Sequence, residues 1–402
     1  MARKDELEKR RQRNQLVPSA CGGCVLKRPP FDDEYYYQSL DTGSLKNDII
    51  IEILKRLPAK SLLRFRAVCK SWCAFISNSS HFSRKHLSHA VTDSSSFRVL
   101  YSLMPPLSVD CEALLKKDGP VQGRKLKLPN RYKQHRRTTG SLKREVANIV
   151  VGSCNGLICL LLKWGYVVLW NPCTRKVNKL PKQTHVKTHQ TFYGFGYDSC
   201  TERYKIILGD MPSMPKTLAH TAIFTTSWRN FDDVQIHNEI YGRGCLLNGA
   251  LHWIESAQWD AIEDDHSGPS RLSIISFDLA EEKFQKLVSL PSLVTQDTSA
   301  KVWTSRDSIF VCFWNGTVRT ETKLTIWEMK EYGIEDSWTN VGHISFNSHP
   351  ECYWPLKFFE DGNFLMTICG GLLVYDPEKK TIRSNSDLPI LYMETLVSPF
   401  TS

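Results

Sequence analysis

Few groups in this sequence have reactive potential, and their spacing argues against chemistry. Cys21-Gly22-Gly23-Cys24 is a single CxxC, whereas a structural zinc takes four ligands and hence a second pair. The next cysteines, Cys69 and Cys73, fall in a helical stretch instead. His81, His86 and His89 lack the i, i+4 spacing of a ligating helix and have no acid among them, so they read as surface histidines. Asp260, Glu263, Asp264 and Asp265 cluster in a polar run and read as a solvated loop. Gly194-Phe195-Gly196 precedes a Tyr-Asp turn rather than a helix, and P-loop, HExxH and GxSxG patterns are missing. No catalytic residue, metal site or cofactor is expected, which leaves binding as the function to look for.

Charge is the second chemical feature. The chain has 402 residues and a formal net charge of +10. Lys116 to Arg144 holds eleven Lys/Arg against one acid, Asp118, so this one segment carries a charge equal to that of the whole chain. Arg124 to Leu128 alternates basic and apolar residues and reads as an edge strand. Asn130 to Gly140 has no apolar period and reads as a loop. Its Arg131, Lys133, Arg136 and Arg137 are candidate contacts to an acidic target, drawn in by steering that fades as salt rises. Tyr132 is the one aromatic there for stacking on bases, so nucleic acid is not the expected partner.

Two kinds of element must position these groups. From Leu45 to Ile76 the pattern is helical. Asn47 or Asp48 can cap the start, and Ile50, Ile53, Leu54 and Leu57 fall at i, i+3, i+4, i+7. Ile49 and Ile51 widen that stripe, and Pro58 stops the helix at Leu57. Short helices are expected over Lys60 to Ala67 and Cys69 to Ser77, with another over His81 to Ala90. So few residues rarely fold alone. The module must dock on another protein or cap the following domain, and patterning favours neither. The run Asp48-Ile49-Ile50 … Ile53-Leu54 … Arg56-Leu57-Pro58 … Lys60-Ser61-Leu62-Leu63-Arg64-Phe65 … Val68-Cys69-Lys70-Ser71-Trp72 resembles the F-box, especially its plant form. One position departs from the family: Leu45 is followed by Lys46 rather than proline. The resemblance implies docking on a Skp-family adaptor, and through it on a cullin scaffold. The contacts it implies are Leu45, Ile49, Ile53, Leu54, Leu57, Pro58, Leu62, Leu63, Val68, Cys69 and Trp72.

Residues 1–41 are basic and then mixed, without sustained periodicity, and read as a disordered extension. Met1 to Gln15 has no apolar core, so no secretory signal is expected. The richest apolar stretch, Val150 to Trp170, is broken by Asn155, Gly156, Lys163 and Gly165, so no membrane span is expected. Thirteen irregularly spaced cysteines then read as reduced thiols in the cytoplasm or nucleus.

Beyond the helical region (42–90), residues 97–400 change texture to short β-branched and aromatic runs separated by Gly, Asn, Asp and Pro. A weak repeat recurs: an aromatic, then Asn or Asp, then an apolar residue six places on. Trp170-Asn171 leads to Val177, Tyr197-Asp198 to Tyr204, Phe277-Asp278 to Phe284 and Tyr375-Asp376 to Ile382. Asn155-Gly156, Asn248-Gly249, Asn315-Gly316 and Asp361-Gly362 are hairpin pairs. The spacing predicts a β-propeller of six blades, alternatively seven, closed by pairing of Tyr392–Val397 with Phe97–Leu103. Trp170, Trp253, Trp327 and Tyr375 are expected between blades. Gly152-Ser153-Cys154-Asn155-Gly156-Leu157, Trp170-Asn171-Pro172, Gly194-Phe195-Gly196-Tyr197-Asp198, Leu251-His252-Trp253 and Ser337-Trp338 resemble the plant F-box-associated domain, in the family's order, and that resemblance implies a kelch-like propeller.

Together the two resemblances imply a non-catalytic receptor subunit of an SCF-type ubiquitin ligase, with the β domain capturing an unidentified target protein. A propeller interaction module working outside a ligase is the alternative, resting on Lys46.

Overall fold

The computed structural model describes residues 44–103, 106–116, 123–127, 149–162, 165–183, 191–210, 220–231, 239–256, 272–290, 299–305, 307–315, 322–346, 354–358, 363–368, 371–375 and 390–400. Cys21, Cys24, the Asp260 to Asp265 cluster, and Arg131, Lys133, Arg136 and Arg137 lie outside them.

Four helices come first: α1 (Ser44–Leu54), α2 (Ala59–Phe65), α3 (Lys70–Asn78) and α4 (Ser80–Thr92). α1 begins before the expected caps at Asn47 and Asp48. At its other end, tighter bonds from Arg56 N to Ile53 O (3.2 Å) and Leu57 N to Leu54 O (3.1 Å) carry the chain to Pro58. Side chains cap the starts of α3 and α4: Cys69 Sγ accepts from Trp72 N (3.4 Å) and Ser79 Oγ from Phe82 N (3.0 Å).

The rest is β-sheet. β1 (Phe97–Leu103), β2 (Pro106–Asp110) and β3 (Arg124–Lys125) pair in order, with α5 (Cys111–Lys116) between the last two. β4 (Ile149–Cys154), β5 (Leu157–Leu162), β6 (Tyr166–Trp170) and β7 (Val177–Lys179) form the next sheet. β8 (Thr191–Asp198), β9 (Arg203–Asp210), β10 (His220–Phe224) and β11 (Trp228–Phe231) form another. Three short strands follow: β12 (Glu239–Ile240), β13 (Gly242–Arg243) and β14 (Cys245–Leu247). β13 pairs in parallel with β8, while β12 and β14 pair with β15 (Ala250–Ser256), which leads to β16 (Leu272–Asp278) and β17 (Lys283–Ser289). β18 (Ser299–Ser305), β19 (Ser308–Asn315), β20 (Thr322–Met329) and β21 (Trp338–Phe346) form a sheet, as do β22 (Trp354–Phe358), β23 (Phe364–Ile368) and β24 (Gly371–Tyr375).

β25 (Ile390–Met393) then returns to pair antiparallel with β1, from Phe97↔Met393 to Leu100↔Ile390. The ring closes on Phe97–Leu103 as expected, but through Ile390–Met393 rather than Tyr392–Val397. The first strands β4, β8, β14, β18, β22 and β25 touch in turn, and β25 touches β4, so the sheets form a propeller-like ring. The blade count differs from the expected six or seven. Among the described residues five sheets have four or more strands, and the sixth, β22 to β24, has three.

Each seam between neighbouring sheets has its own apolar cluster. Trp170 fills the seam with β1, β3 and β25, and Trp253 the seam with Phe192 and Ile207; both side chains are fully buried. Trp327 and Tyr375 pack half-buried against two further clusters.

The sequence repeat is a hairpin turn in which Asn or Asp caps its own loop. Asn171 Oδ1 accepts from Cys173 N (2.8 Å) and Thr174 N (3.0 Å), and Asp278 Oδ1 accepts from Ala280 N and Glu281 N (2.9 Å each). Asp198 does the same for Cys200 N (2.9 Å). Four places after each, Arg175, Glu202 and Glu282 take positive φ. The apolar residue six places on then stands opposite the aromatic: Trp170↔Val177, Tyr197↔Tyr204 and Phe277↔Phe284. The copy at Tyr375 to Ile382 runs beyond the described residues.

Two predictions follow from the turns and the core. Asn155-Gly156 and Asn248-Gly249 both have positive φ at both positions, the hairpin turn expected of Asn-Gly. A Cβ on Gly249 would meet nothing within 4 Å, whereas one on Gly156 would lie 2.2 Å from Thr395 Oγ1 and 2.7 Å from the Met393 carbonyl oxygen. Gly249→Ala is expected to cost about 1 kcal/mol of left-handed strain. Gly156→Ala should cost clearly more in denaturant unfolding, because it also displaces the chain next to the closing strand. The second concerns His252, which is fully buried. Its Nδ1–H donates to Cys245 O (3.2 Å) and Nε2 accepts from the Tyr332 hydroxyl (2.7 Å), and burial drives its pKa down from 6.5 to about 4. The unfolded chain therefore takes up this proton before the folded one does, and stability falls as pH drops from about 6.5 to about 4, by roughly 3 kcal/mol. His252→Gln should flatten that part of the stability–pH curve.

Candidate functional site

The helical module has two apolar faces. Ile51 and Leu54 of α1 point inward with Ala59, Leu62, Phe75, Ile76 and Phe82. Ile49 and Ile53, one turn apart, point outward and are 61% and 56% exposed. With Asp48, Glu52 and Arg56 they line a groove of about 290 Å³. Val68, 61% exposed, and Cys69 sit in the turn before α3, with Arg64, Arg66 and Lys70 exposed around them. Pro58 is exposed, and Leu57, Leu63 and Trp72 are half-buried. The eleven residues expected at the adaptor therefore divide. Leu54 and Leu62 are corrected to the module's own core, being 2% and 0% exposed. The Leu45 side chain lies outside what the structure describes. The wide apolar stripe of α1 is the reason: it holds one row for the core and one for solvent, and spacing alone cannot tell them apart.

The inner face is completed from the far end of the chain. Leu396 belongs to the same cluster as Leu54 and Leu62, and Cys173 of the β6–β7 turn packs against it. Burial pushes the Cys173 thiol up to about 12, so this group packs rather than reacts. Residues 394–400 run between module and ring. Asn171 Nδ2 donates to Thr395 O (3.1 Å) and Val397 O (2.8 Å), Thr395 Oγ1 to Asn155 O (2.9 Å), and Asn178 Nδ2 to Pro399 O (3.1 Å). The buried Glu394 carboxylate meets Arg124 (2.5 Å), Arg98 (3.5 Å) and Lys60 of α2 (3.6 Å). Burial lowers the Lys60 pKa, opposed by the Glu394 charge. Arg84 of α4 reaches Glu202 (3.0 Å), and Lys176 Nζ donates to Ser77 O (3.4 Å).

His86 departs from its expected place at the surface. It is buried, and Nε2–H donates to Leu57 O (3.0 Å), so it pins α4 to the turn that carries Pro58. Among the described residues no group of three His, Cys, Asp or Glu is placed to hold a metal, and nine cysteines form no disulfide. Glu394, Leu396 and Asn171 were missed as junction residues. Asn171 carried a signal through the repeat, whereas an isolated acid or leucine near the end of a β run carries none.

The module meets the ring at one rim. Its ring partners Cys173, Lys176 and Glu202, and Asn155 and Asn171 that hold the tail, all lie in turns at the same ends of β4 to β9. The opposite ends of the strands, such as Leu162, Tyr166 and Asp210, form the other rim, and the stretches 128–148, 211–219 and 257–271 connect strand ends there.

Because Leu396 supplies core to a module some 300 residues away, Leu396→Ala should destabilise the chain by about 2–5 kcal/mol, as expected for Leu62→Ala. A change in thermal unfolding no larger than that of an exposed substitution would show that the module's core does not include the tail.

Comparison with known proteins agrees with this layout. The F-box domain family matches residues 44–84, and the F-box associated beta propeller domain family matches residues 121–385. An F-box/kelch-repeat protein of Arabidopsis thaliana is 26% identical over 91% of this chain and 99% of its own. F-box protein CPR1 of Arabidopsis thaliana is 26% identical over 74% of this chain and 72% of its own, and F-box/WD-40 repeat-containing protein 1 of that plant is 24% identical over 92% and 87%. Among solved structures the tricorn protease aligns at a TM-score of 0.36 and 9% identity, over 72% of this chain and 29% of that one, a likeness too loose to bear on function. A helical module seated on one rim of a β-sheet ring, matched in both parts, shows that the chain belongs to the plant F-box proteins that carry an F-box-associated β-propeller domain.

Proposed function

We propose that this chain is the substrate-recognition subunit of an SCF-type ubiquitin ligase. The observation that supports this best is the outward face of the helical module. Exposed apolar patches on a folded protein mark partner surfaces, and Ile49, Ile53 and Val68 remain exposed although the module's inner face is fully occupied. In this reading that face, with Pro58, Cys69 and the half-buried Leu57, Leu63 and Trp72, docks on a Skp-family adaptor held by a cullin. The opposite rim captures a target protein, in the cytoplasm or nucleus. The chain makes and breaks no bonds; it raises the effective concentration of target beside the ubiquitin-charged enzyme.

Ile53→Asp with Val68→Asp tests the docking face. Both side chains are exposed, so the fold should change in stability by less than about 1 kcal/mol in total. Each apolar side chain buried on docking contributes about 1.5–3 kcal/mol, so adaptor affinity should fall at least a hundredfold in a titration with purified adaptor. Unchanged affinity in a folded double variant would remove the docking assignment.

A further inference from the structure

We propose that the seam between β3 and the β6–β7 edge binds an acidic stretch of the target protein. The identification of that partner as a target rests on the receptor reading above. Tyr166 begins β6 at the end away from the helical module, since Asn171, at the module, follows the other end. Lys179 Nζ lies 3.9 Å from the centre of the Tyr166 ring and Lys182 Nζ 5.9 Å from it. Lys179 is the ladder partner of Val168, which shares a sheet face with Tyr166 and Trp170. Leu126 packs into the cluster of Val168 and Trp170, and its chain neighbours Lys125 and Lys127 are exposed. Two lysines of one edge therefore face one ring, and two more flank Leu126 on the neighbouring sheet.

None of the four forms an ion pair among the described residues, and Lys125, Lys127, Lys179 and Lys182 are all exposed. Several other cations are neutralised: Arg98 and Arg124 by Glu394, Lys205 by Asp198 and Glu282, and Arg84 of α4 by Glu202. A cluster left uncompensated holds a local positive potential that attracts carboxylates and weakens with salt. The ring chemistry separates a peptide from a nucleic acid. Bases bind such surfaces by stacking on open aromatic faces, and Lys179 already covers a face of Tyr166 as a cation–π contact. What remains on offer is ammonium groups at fixed places, suited to Asp or Glu side chains. The rim is also the one from which the chain leaves Lys127 and returns at Ile149.

The test uses the full chain purified with its adaptor. Binding of a fluorescein-labelled decaglutamate peptide is read by anisotropy at low and at physiological salt, for wild type and for Lys179→Glu with Lys182→Glu. A single-stranded DNA oligonucleotide serves as competitor. Wild type should bind the peptide with an affinity that falls as salt rises. The double variant should bind at least tenfold more weakly at low salt while retaining its adaptor. Equal binding by wild type and variant would overturn the proposal, as would displacement of the peptide by the oligonucleotide at concentrations below the peptide's own. Loss of adaptor from every version would count against the receptor reading instead, leaving the peptide comparison to judge the seam.

Discussion

Glu394 sits where three parts of the chain meet: α2 of the helical module, the first strands of the ring, and the segment that follows the closing strand. Taking a carboxylate out of water is costly unless cations and hydrogen bonds replace it, and here Lys60, Arg98 and Arg124 all face it. The neighbouring residues carry the same join in other chemistry. Thr395 bonds to the Asn155 turn, Leu396 enters the helical core, and Asn171 holds the carbonyls of Thr395 and Val397. Closing the ring and seating the module are thus one event. Neither the module's inner face nor the β1–β25 seam is complete without these few residues.

This coupling gives the ends of the molecule a defined relation. Ile49, Ile53 and Val68 face outward on one side of the junction, and the strand ends around Tyr166 lie at the opposite rim. A receptor that only tethered its target would need no such rigidity, since effective concentration depends on reach. Salt links such as Arg84 to Glu202, together with the shared apolar core, hold module and ring in one orientation. In an SCF-type ligase that would fix the direction in which a captured target is presented.

Much of this was legible in the sequence, because the elements that read clearly are those whose environment is uniform. β5, LICLLL, is buried nearly throughout, and β1 was read to the residue. The repeat was visible because one turn chemistry recurs: a short polar side chain that caps its own loop, with an aromatic before it. Outer strands carry a weaker signal for the converse reason. β7, VNK, and β17, KFQKLVS, are largely exposed and alternate poorly, and β11, WRNF, is four residues long. In the helical module the helices fall where the periodicity puts them, but the division between core and surface does not. Leu54 and Leu62 turn inward and share a core with a distant leucine, Leu396, and no local pattern encodes a contact across the whole chain. His86 likewise looked like a surface group until α4 was seen to pack on the Leu57 turn.

The central claim is that the chain delivers a target for destruction through its outward helical face. Proximity labelling in cells tests it most directly, with Ile49→Asp as the comparison. Deleting the module would also strip Leu396 and Glu394 of their partners and confound the result. The account predicts that wild type labels adaptor and cullin, together with proteins that are scarce unless the proteasome is blocked. The variant should lose adaptor and cullin while those same proteins accumulate on it without the block. The same labelled proteins at the same abundance, with or without the substitution and with or without the block, would contradict it.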